Sequence, residues 1–134
     1  MARVELAKYR IDKAKGILRE AEDSLKQKHY GLTVNRSYYV MFTASRSLLA
    51  ILEMDSGKHS GVIAMFNRHV VKNGLFPKEL SRLLKKEKRN RENFDYGDFV
   101  EITAEEAAQS IEYAKKFLKE AEKVLKKMLK DLKT

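Results

Sequence analysis

The chain has 134 residues, 35% of them charged, with a formal net charge of +9 at pH 7 and no cysteine. This length fits one domain with a core of its own, and the lack of cysteine excludes disulfides and thiolate metal sites. The positive charge favours RNA or DNA as a partner, although lysines that only keep exposed helix faces soluble would give the same charge. We expect no secretory leader and no membrane-spanning segment, hence a soluble cytoplasmic protein.

Apolar spacing predicts a first helix from about Ala2 to Lys28. Its apolar residues form a heptad seam, which consists of Val4, Ala7, Ile11, Ala14, Leu18, Ala21 and Leu25. A turn at His29–Gly31 is expected to follow, with Gly31 supplying the permissive backbone conformation.

The second helix is predicted over Asn35–Met54 and is apolar on nearly all sides. Such a helix has to be surrounded by other helices, so we place it at the centre of the fold. Its one polar stripe is expected to face a cleft or a partner. The stripe consists of Arg36, Thr43 and Ser47, with Arg46 and Glu53 beside it.

Three further helices complete the prediction. The third spans about His59–Lys72, with a buried face formed by Val62, Ile63, Phe66 and Val70. The fourth begins near Pro77, is anchored by leucines, and continues into a charged stretch without apolar residues at positions 85–93. The last begins with the capping box of Thr103 and Glu106. It repeats the alanine-rich seam of the first helix, so we pair these two helices antiparallel, in one all-α domain over residues 1–134.

Familiar catalytic patterns are missing from the sequence. It contains no phosphate-binding loop, no dinucleotide fingerprint and no zinc-protease HExxH. The three histidines, His29, His59 and His69, are scattered without metal-ligand spacing. We therefore expect neither a metal nor a cofactor.

The segment Arg89–Tyr96, RNRENFDY, is the strongest candidate for chemistry. If the helix continues to Asp95, Arg91 and Asp95 lie one turn apart on the same face. Arg89 and Arg91 supply fixed positive charge that suits a phosphate, and Tyr96 can stack on a base or donate a hydrogen bond. The alternative is structural: Arg91 and Asp95 form an ion pair, and Tyr96 packs under the next loop.

Three segments, in this order and spacing, resemble the HEPN domain family. They are SYYVMFTASRSLL at positions 37–49, D-x-x-x-H-S-G-V-I-x-x-F at Asp55–Phe66, and R-x-x-x-D-Y at Arg91–Tyr96. The last helix is similar to the family's C-terminal helix, so the resemblance covers nearly the whole chain. It implies an up-and-down bundle of four to five helices that usually dimerises.

The resemblance also implies two kinds of activity. Many HEPN proteins are metal-independent endoribonucleases, and others are toxins encoded beside a minimal nucleotidyltransferase. In the active branches an R-x4-6-H motif supplies an arginine for the phosphate charge and a histidine that assists attack by the 2′-hydroxyl. Here no histidine follows His69. Arg91 matches the motif, and Asp95 and Tyr96 are the other catalytic candidates.

Four further residues are candidates for binding RNA or a nucleotide: Arg36, Arg46, His59 and Arg89. His59, near the start of the third helix, is the candidate substitute for the missing histidine if it faces a cleft near Arg91. The alternative is that it caps the helix or packs locally.

Three functions stay open at this point. The first is an RNA-directed HEPN toxin. The second is a non-catalytic homodimeric module that docks with a nucleotidyltransferase and holds a nucleotide, and the third is a purely structural homodimer. Arg91→Ala is predicted to weaken RNA or nucleotide binding with little loss of stability, because the neighbouring residues in the sequence are charged.

Overall fold

The computed structural model of the chain describes residues 2–96 and 101–133, with side chains for all of these except 94–96. The regular structure of the described residues is entirely helical, which confirms the predicted all-α bundle. Its elements are α1 (Ala2–Lys26), α2 (Tyr30–Ile51), α3 (His59–Phe66), a π-helical segment (Asn67–Val71), α4 (Lys78–Tyr96) and α5 (Ala104–Leu132). None of the helices in these two ranges is both long and apolar enough to cross a membrane.

Helix α2 is the centre of the fold, as its composition predicts. It packs against α1, α3, α4 and α5, and its contacts with α1 and α5 are the most extensive in the structure. From Val40 to Ile51 every residue except Arg46 is buried. Burial of an apolar helix on several sides stabilises the fold through the hydrophobic effect.

Part of the polar stripe of α2 packs against α1, so the predicted exposure to a cleft or a partner is wrong for Ser47 and Glu53. Ser47 is fully buried, and its hydroxyl donates a 2.7 Å hydrogen bond to the carbonyl oxygen of Ala7 on α1. Glu53 lies 3.7 Å from the Arg3 guanidinium, also on α1. A small hydroxyl can be buried at little cost when a backbone carbonyl accepts its proton, and this contact turns the stripe towards α1.

The turn between α1 and α2 lies earlier than predicted. Helix α2 already begins at Tyr30, so Gly31 is helical, and Lys28 takes the left-handed backbone conformation with φ of 63°. Across the turn the hydroxyls of Ser24 and Thr33 lie 2.7 Å apart. Ser24 and Ile17 are buried, whereas the predicted seam residues Leu18 and Leu25 are only half-buried, because α1 packs against both α2 and α5.

Helices α1 and α5 are antiparallel neighbours, as predicted. Lys15 Nζ lies 3.4 Å from a carboxylate oxygen of Glu122, and Lys115 Nζ lies 3.5 Å from one of Glu22. The α1 residue with the higher number contacts the α5 residue with the lower number, so the two helices run antiparallel. Each of the two helices nevertheless packs more extensively on α2 than on the other.

The predicted buried face of the third helix, Val62, Ile63, Phe66 and Val70, is confirmed. The helix is not uniform, since its last turn is π-helical. In α4, the charged stretch at positions 85–93 nevertheless buries Glu87, whose two carboxylate oxygens lie 3.0 Å from the Ser110 hydroxyl on α5. Burial raises the pKa of Glu87 above its ordinary value.

The capping box at the start of α5 is confirmed in both directions. The Glu106 amide donates to Thr103 Oγ1 at 3.1 Å, and the Thr103 amide donates to Glu106 Oε1 at 3.2 Å. Two of the backbone donors at the start of the helix are thereby satisfied by local side chains.

Candidate functional site

Two adjacent tyrosines on α2 form the base of the candidate site. The ring of Tyr38 stacks on Phe42 one turn later with 5.7 Å between centroids, and Tyr39 meets the same phenylalanine edge-on at 6.2 Å. Tyr38 is fully buried and Tyr39 is half-buried. The i, i+3 and i+4 spacing of these rings on one helix brings them together.

His59, the first residue of α3, lies directly against these rings. Its imidazole stacks on Phe42 with 4.2 Å between centroids, and its Nδ1 lies 2.9 Å from the hydroxyl oxygen of Tyr38. The residue is half-buried. His59 therefore faces the aromatic surface of α2 and makes a long-range hydrogen bond.

Arg91 on α4 reaches the same two tyrosines. Its guanidinium carbon lies 5.1 Å from the Tyr38 ring centroid and 5.5 Å from that of Tyr39, and its Nη1 donates to the Tyr39 hydroxyl at 3.2 Å. Helices α2, α3 and α4 thus contribute to one group of side chains. We call Tyr38, Tyr39, His59 and Arg91 the Tyr–His–Arg cluster.

The loop before α3 holds His59 in place. The Asp55 carboxylate accepts hydrogen bonds from Arg46 Nη2 at 2.9 and 3.2 Å and from Arg10 Nη2 at 3.3 Å. It also accepts from the Ser56 amide at 2.8 Å. The hydrogen bonds from Arg46, the largest influence, hold the pKa of Asp55 below its ordinary value. This loop is therefore attached to both α1 and α2 directly before the turn that delivers His59.

Glycine at position 61 lets the same loop pack against the first turn of α3. A methyl group at Gly61 would lie 2.9 Å from Ser56 Cβ and closer still to its hydroxyl oxygen. Real Cβ atoms do not approach other atoms so closely, so Ser56 would have to move. The D-x-x-x-H-S-G segment thus contains the ion-paired Asp55, the candidate residue His59, and Gly61, where the helix packs closely against Ser56.

The charges around the cluster favour a neutral imidazole. Burial lowers the pKa of His59, and the nearby cations Arg91, Lys88 and Arg46 lower it further, while Glu92 opposes them. Burial also raises the pKa of the Tyr38 phenol, against the influence of Arg91. At neutral pH the pair therefore consists of a protonated phenol and an uncharged imidazole.

A neutral imidazole carries one N–H and one lone pair, and the Tyr38 hydroxyl can serve either ring tautomer. When His59 Nδ1 carries the hydrogen, Tyr38 accepts it, and the lone pair on Nε2 is available as a base. When Nε2 carries the hydrogen, Tyr38 donates to Nδ1, and His59 presents a donor. The hydrogen bond thus orients His59 for either direction of proton transfer.

The other predicted binding residues lie at different distances from this cluster. Arg36 adjoins it, with its guanidinium carbon 5.2 Å from the Tyr39 ring centroid. Arg46 is held by Asp55 and contributes to the cluster through its charge and through the loop that it anchors. Arg89 is exposed and lines the neighbouring groove between α3 and α4.

Two of the three predicted catalytic residues cannot be placed. The backbone of α4 continues through Asp95 and Tyr96, which meets the condition for Arg91 and Asp95 to lie one turn apart, but the side chains of Asp95 and Tyr96 lie outside the described residues. Arg91 is the member of the R-x-x-x-D-Y segment that the structure places in the cluster. In the described parts of the chain, no three His, Asp or Glu side chains are grouped so that they could hold a metal ion.

Tyr38 and Tyr39 were not among the residues predicted from sequence. Their spacing assigned them to apolar faces of the central helix, which is correct for their rings. A usable signal was nevertheless present, because a buried phenol hydroxyl requires a hydrogen-bond partner. A Tyr-Tyr pair on a buried helix therefore indicates polar groups arriving from other elements.

Comparison with known proteins agrees with this architecture. The HEPN domain family model matches residues 7–126. A protein of Thermotoga maritima named "UPF0332 protein" is 35% identical over 121 residues, which cover 90% of this chain and 92% of that protein. "Putative toxin MJ0142" of Methanocaldococcus jannaschii is 33% identical over 115 residues, with 86% of this chain and 78% of that protein covered.

A second protein of that archaeon, "Putative toxin MJ0605", is 33% identical over 120 residues, which cover 89% of this chain and 88% of that protein. The family match spans most of the chain, and the similarity covers between 78% and 92% of the length of these relatives. The three segments on which the resemblance was based lie within the matched residues. The chain belongs to the HEPN domain family.

Proposed function

We propose that this chain is a toxin-like HEPN protein that cleaves RNA without a metal ion, with His59 and Arg91 as its catalytic residues. One observation carries the proposal: Tyr38 is hydrogen-bonded to His59 while Arg91 lies over the same tyrosine ring. A proton acceptor and a fixed cation are thus held at one half-buried position. In this account His59 takes the role of the histidine that the R-x4-6-H motif would supply.

The chemistry follows from these two groups. The 2′-hydroxyl of one nucleotide gives its proton to His59, and its oxygen forms a bond to the adjacent phosphorus. The bond from phosphorus to the 5′-oxygen breaks, and that oxygen takes up a proton from water. The Arg91 guanidinium stabilises the negative charge that builds up on the phosphate oxygens. The products are a 2′,3′-cyclic phosphate and a 5′-hydroxyl end.

The partners belong to the same proposal. Two relatives carry the name "Putative toxin", which supports a toxin-like role for this chain. A nucleotidyltransferase partner and a homodimer follow from the resemblance to HEPN proteins that are encoded beside such an enzyme. The net charge of +9 suits an RNA substrate.

The test is cleavage of mixed RNA in excess EDTA by purified wild type and by Arg91→Ala. Wild type is expected to cleave, and Arg91→Ala to cleave at least about a hundredfold more slowly, the size of effect seen when one group that stabilises developing charge is removed. RNA carrying 2′-O-methyl groups is expected to stay intact, because its nucleophile is blocked.

The matched control is Arg82→Ala, which removes an exposed arginine from the same helix outside the cluster. It should leave cleavage unchanged. Loss of cleavage in EDTA with recovery on adding Mg²⁺ would contradict the metal-independent mechanism. Cleavage of the 2′-O-methyl RNA would contradict the role of the 2′-hydroxyl.

A second function is favoured by how tightly the imidazole is packed. The stack of His59 on Phe42 at 4.2 Å is also what a purely positioning histidine would make. In that case the chain is a non-catalytic module that binds a nucleotide or the nucleotidyltransferase. A folded wild type that binds RNA or a nucleotide but leaves every RNA intact would select this function.

A further inference from the structure

We propose that the groove between α3 and α4 is a binding subsite for one unpaired nucleotide of an RNA strand, next to the nucleotide cleaved at the Tyr–His–Arg cluster. This inference rests on the proposed ribonuclease function and adds to it the class of substrate, a single strand. The groove has a volume of about 410 Å³. That lies within the range of pockets that enclose small ligands, about 300–1,000 Å³.

The two walls of the groove differ in chemistry. On α3 and the π-helical segment, the exposed Ala64, with the small accessible part of the largely buried Ile63, offers apolar surface between Ser60 and Asn67. The opposite wall on α4 is basic, with Lys85 and Arg89 exposed. An apolar surface with flanking hydrogen-bonding groups suits a base, and a row of cations suits the phosphates on either side of it.

The α4 wall has a net positive charge. Among the described residues that line this wall, the one carboxylate, Glu92, is paired with Lys88 one turn earlier, which leaves Lys85 and Arg89 as the cations without a carboxylate on the described part of the wall. Charge complementarity therefore favours a polyanion over a neutral or cationic occupant. An acidic protein would also satisfy the charge, and the binding measurements below distinguish it from RNA.

The groove adjoins the cluster directly. Two of the residues that line it, Ser60 on α3 and Glu92 on α4, directly follow His59 and Arg91 in the sequence. Lys88 and Glu92 are close enough to His59 to act on its charge. A strand bound at the cluster would place its neighbouring nucleotide in this groove.

The π-helical segment supports a functional role for this wall. It begins at Asn67, the residue at the end of the α3 wall. Such segments are rare and are found frequently at functional sites. A base that is still paired in a duplex could not enter between two helices, so the subsite selects an unpaired nucleotide.

The test is fluorescence anisotropy with a labelled RNA of about 12 nucleotides, a length within the usual range of single-strand sites. The RNA carries 2′-O-methyl groups so that it is not cleaved during the measurement. The key variant is Ala64→Glu, with Ala64→Gln as its control of equal size. Position 64 is exposed and helical, and both residues are good helix formers, so the two variants differ only in charge.

Ala64→Glu is expected to bind the single strand at least about tenfold more weakly than Ala64→Gln, a free-energy difference of about 1.4 kcal/mol. The double variant Lys85→Ala, Arg89→Ala should lower the slope of log Kd against log salt by about 1.4, since each phosphate contact to a single strand contributes about 0.7. Removing two exposed lysines from α5, as Lys123→Ala, Lys126→Ala, should change the slope less.

Four outcomes would overturn the inference. Equal binding by Ala64→Glu and Ala64→Gln, with weaker binding by Arg91→Ala, would remove the subsite and leave the proposed function intact. Absence of any RNA binding by wild type would remove both. If Ala64→Glu lost as much affinity for an RNA duplex as for the single strand, selection of an unpaired nucleotide would be refuted. If the double variant Lys85→Ala, Arg89→Ala bound RNA as wild type does but no longer bound polyglutamate, a model of an acidic protein, the groove would be a surface for such a protein.

Discussion

The hydroxyl oxygen of Tyr38 lies 2.9 Å from Nδ1 of His59, a hydrogen bond that joins the buried centre of α2 to the first residue of α3. Tyr38 is fully buried, and its ring lies under the Arg91 guanidinium. The same side chain therefore contacts both residues of the proposed catalytic pair. The orientation of His59 depends on a residue that belongs to the hydrophobic core.

Tyr38→Phe tests this link, because it keeps the ring and removes only the hydroxyl. The variant should lower the free energy of unfolding by about 1 kcal/mol, the usual net contribution of one hydrogen bond. It should also slow RNA cleavage, since His59 loses the group that fixes its orientation. Urea unfolding measures the first effect and cleavage in EDTA the second.

The control for that variant is Tyr39→Phe, which removes the hydroxyl that accepts from Arg91 and leaves the bond to His59 intact. An NMR titration of His59 separates the two variants. The titration should shift in Tyr38→Phe and hardly change in Tyr39→Phe. An unchanged titration in Tyr38→Phe would refute the link.

Stability is expected to depend on pH through His59. Burial and the nearby cations hold its pKa in the folded protein below the ordinary value of about 6.5. The unfolded chain therefore binds the proton more readily. The contribution of His59 is fully present above about pH 6.5 and is lost as the pH falls from there through the folded-state pKa.

His59→Gln should flatten this part of the pH profile, whereas His69→Gln, outside the cluster, should not remove it. Urea unfolding between about pH 5 and 8, the range in which histidine titrates, measures both. A profile with the same slope in wild type and His59→Gln would show that His59 is not the group responsible.

Gly61→Ala is expected to destabilise the protein by about 1–3 kcal/mol, because the added methyl group collides with Ser56 in a packed loop. Ser56→Gly removes the atoms that collide, so the double variant should recover most of the loss.

The control is Gly16→Ala in α1, where the nearest atom lies at 3.7 Å. That change should stabilise the helix by up to about 1 kcal/mol. Thermal unfolding of the four proteins checks the prediction, and no recovery in the double variant would contradict it.

Arg91→Ala should cost stability, contrary to the expectation from sequence. That expectation relied on charged surroundings, and it is wrong in its reason, because the guanidinium lies on two tyrosine rings. Contacts of this kind contribute about 0.5–2 kcal/mol, so we expect a loss of about 1 kcal/mol on urea unfolding. Arg91→Lys should lose less, since it keeps the cation. Unchanged stability in Arg91→Ala would show that the ring contacts contribute nothing.

The sequence was a good guide where a structural feature depends on local spacing. The capping box of Thr103 and Glu106 and the buried face of α3 follow from residues within one or two turns. The central position of α2 follows from its composition. The direction in which its polar stripe points could not be predicted from composition. A serine hydroxyl such as that of Ser47 can hydrogen-bond either to water or to a buried carbonyl oxygen, and the packing of α1 decides which.

The candidate site depends on tertiary packing and was therefore only partly predictable. Arg91 and His59 were identified as candidates, but their meeting requires α3 and α4 to pack on the same part of α2. The linking residue, Tyr38, is 21 positions away from His59 along the chain. No spacing rule connects residues so far apart.

The catalytic role of His59 is tested by the rate of RNA cleavage in EDTA by wild type, His59→Gln and His69→Gln under single-turnover conditions. General base catalysis contributes about a hundredfold to ten-thousandfold, so we predict a loss of that size in His59→Gln. His69→Gln should cleave at the wild-type rate. Cleavage by His59→Gln at the wild-type rate would contradict the assignment of His59 as the catalytic base.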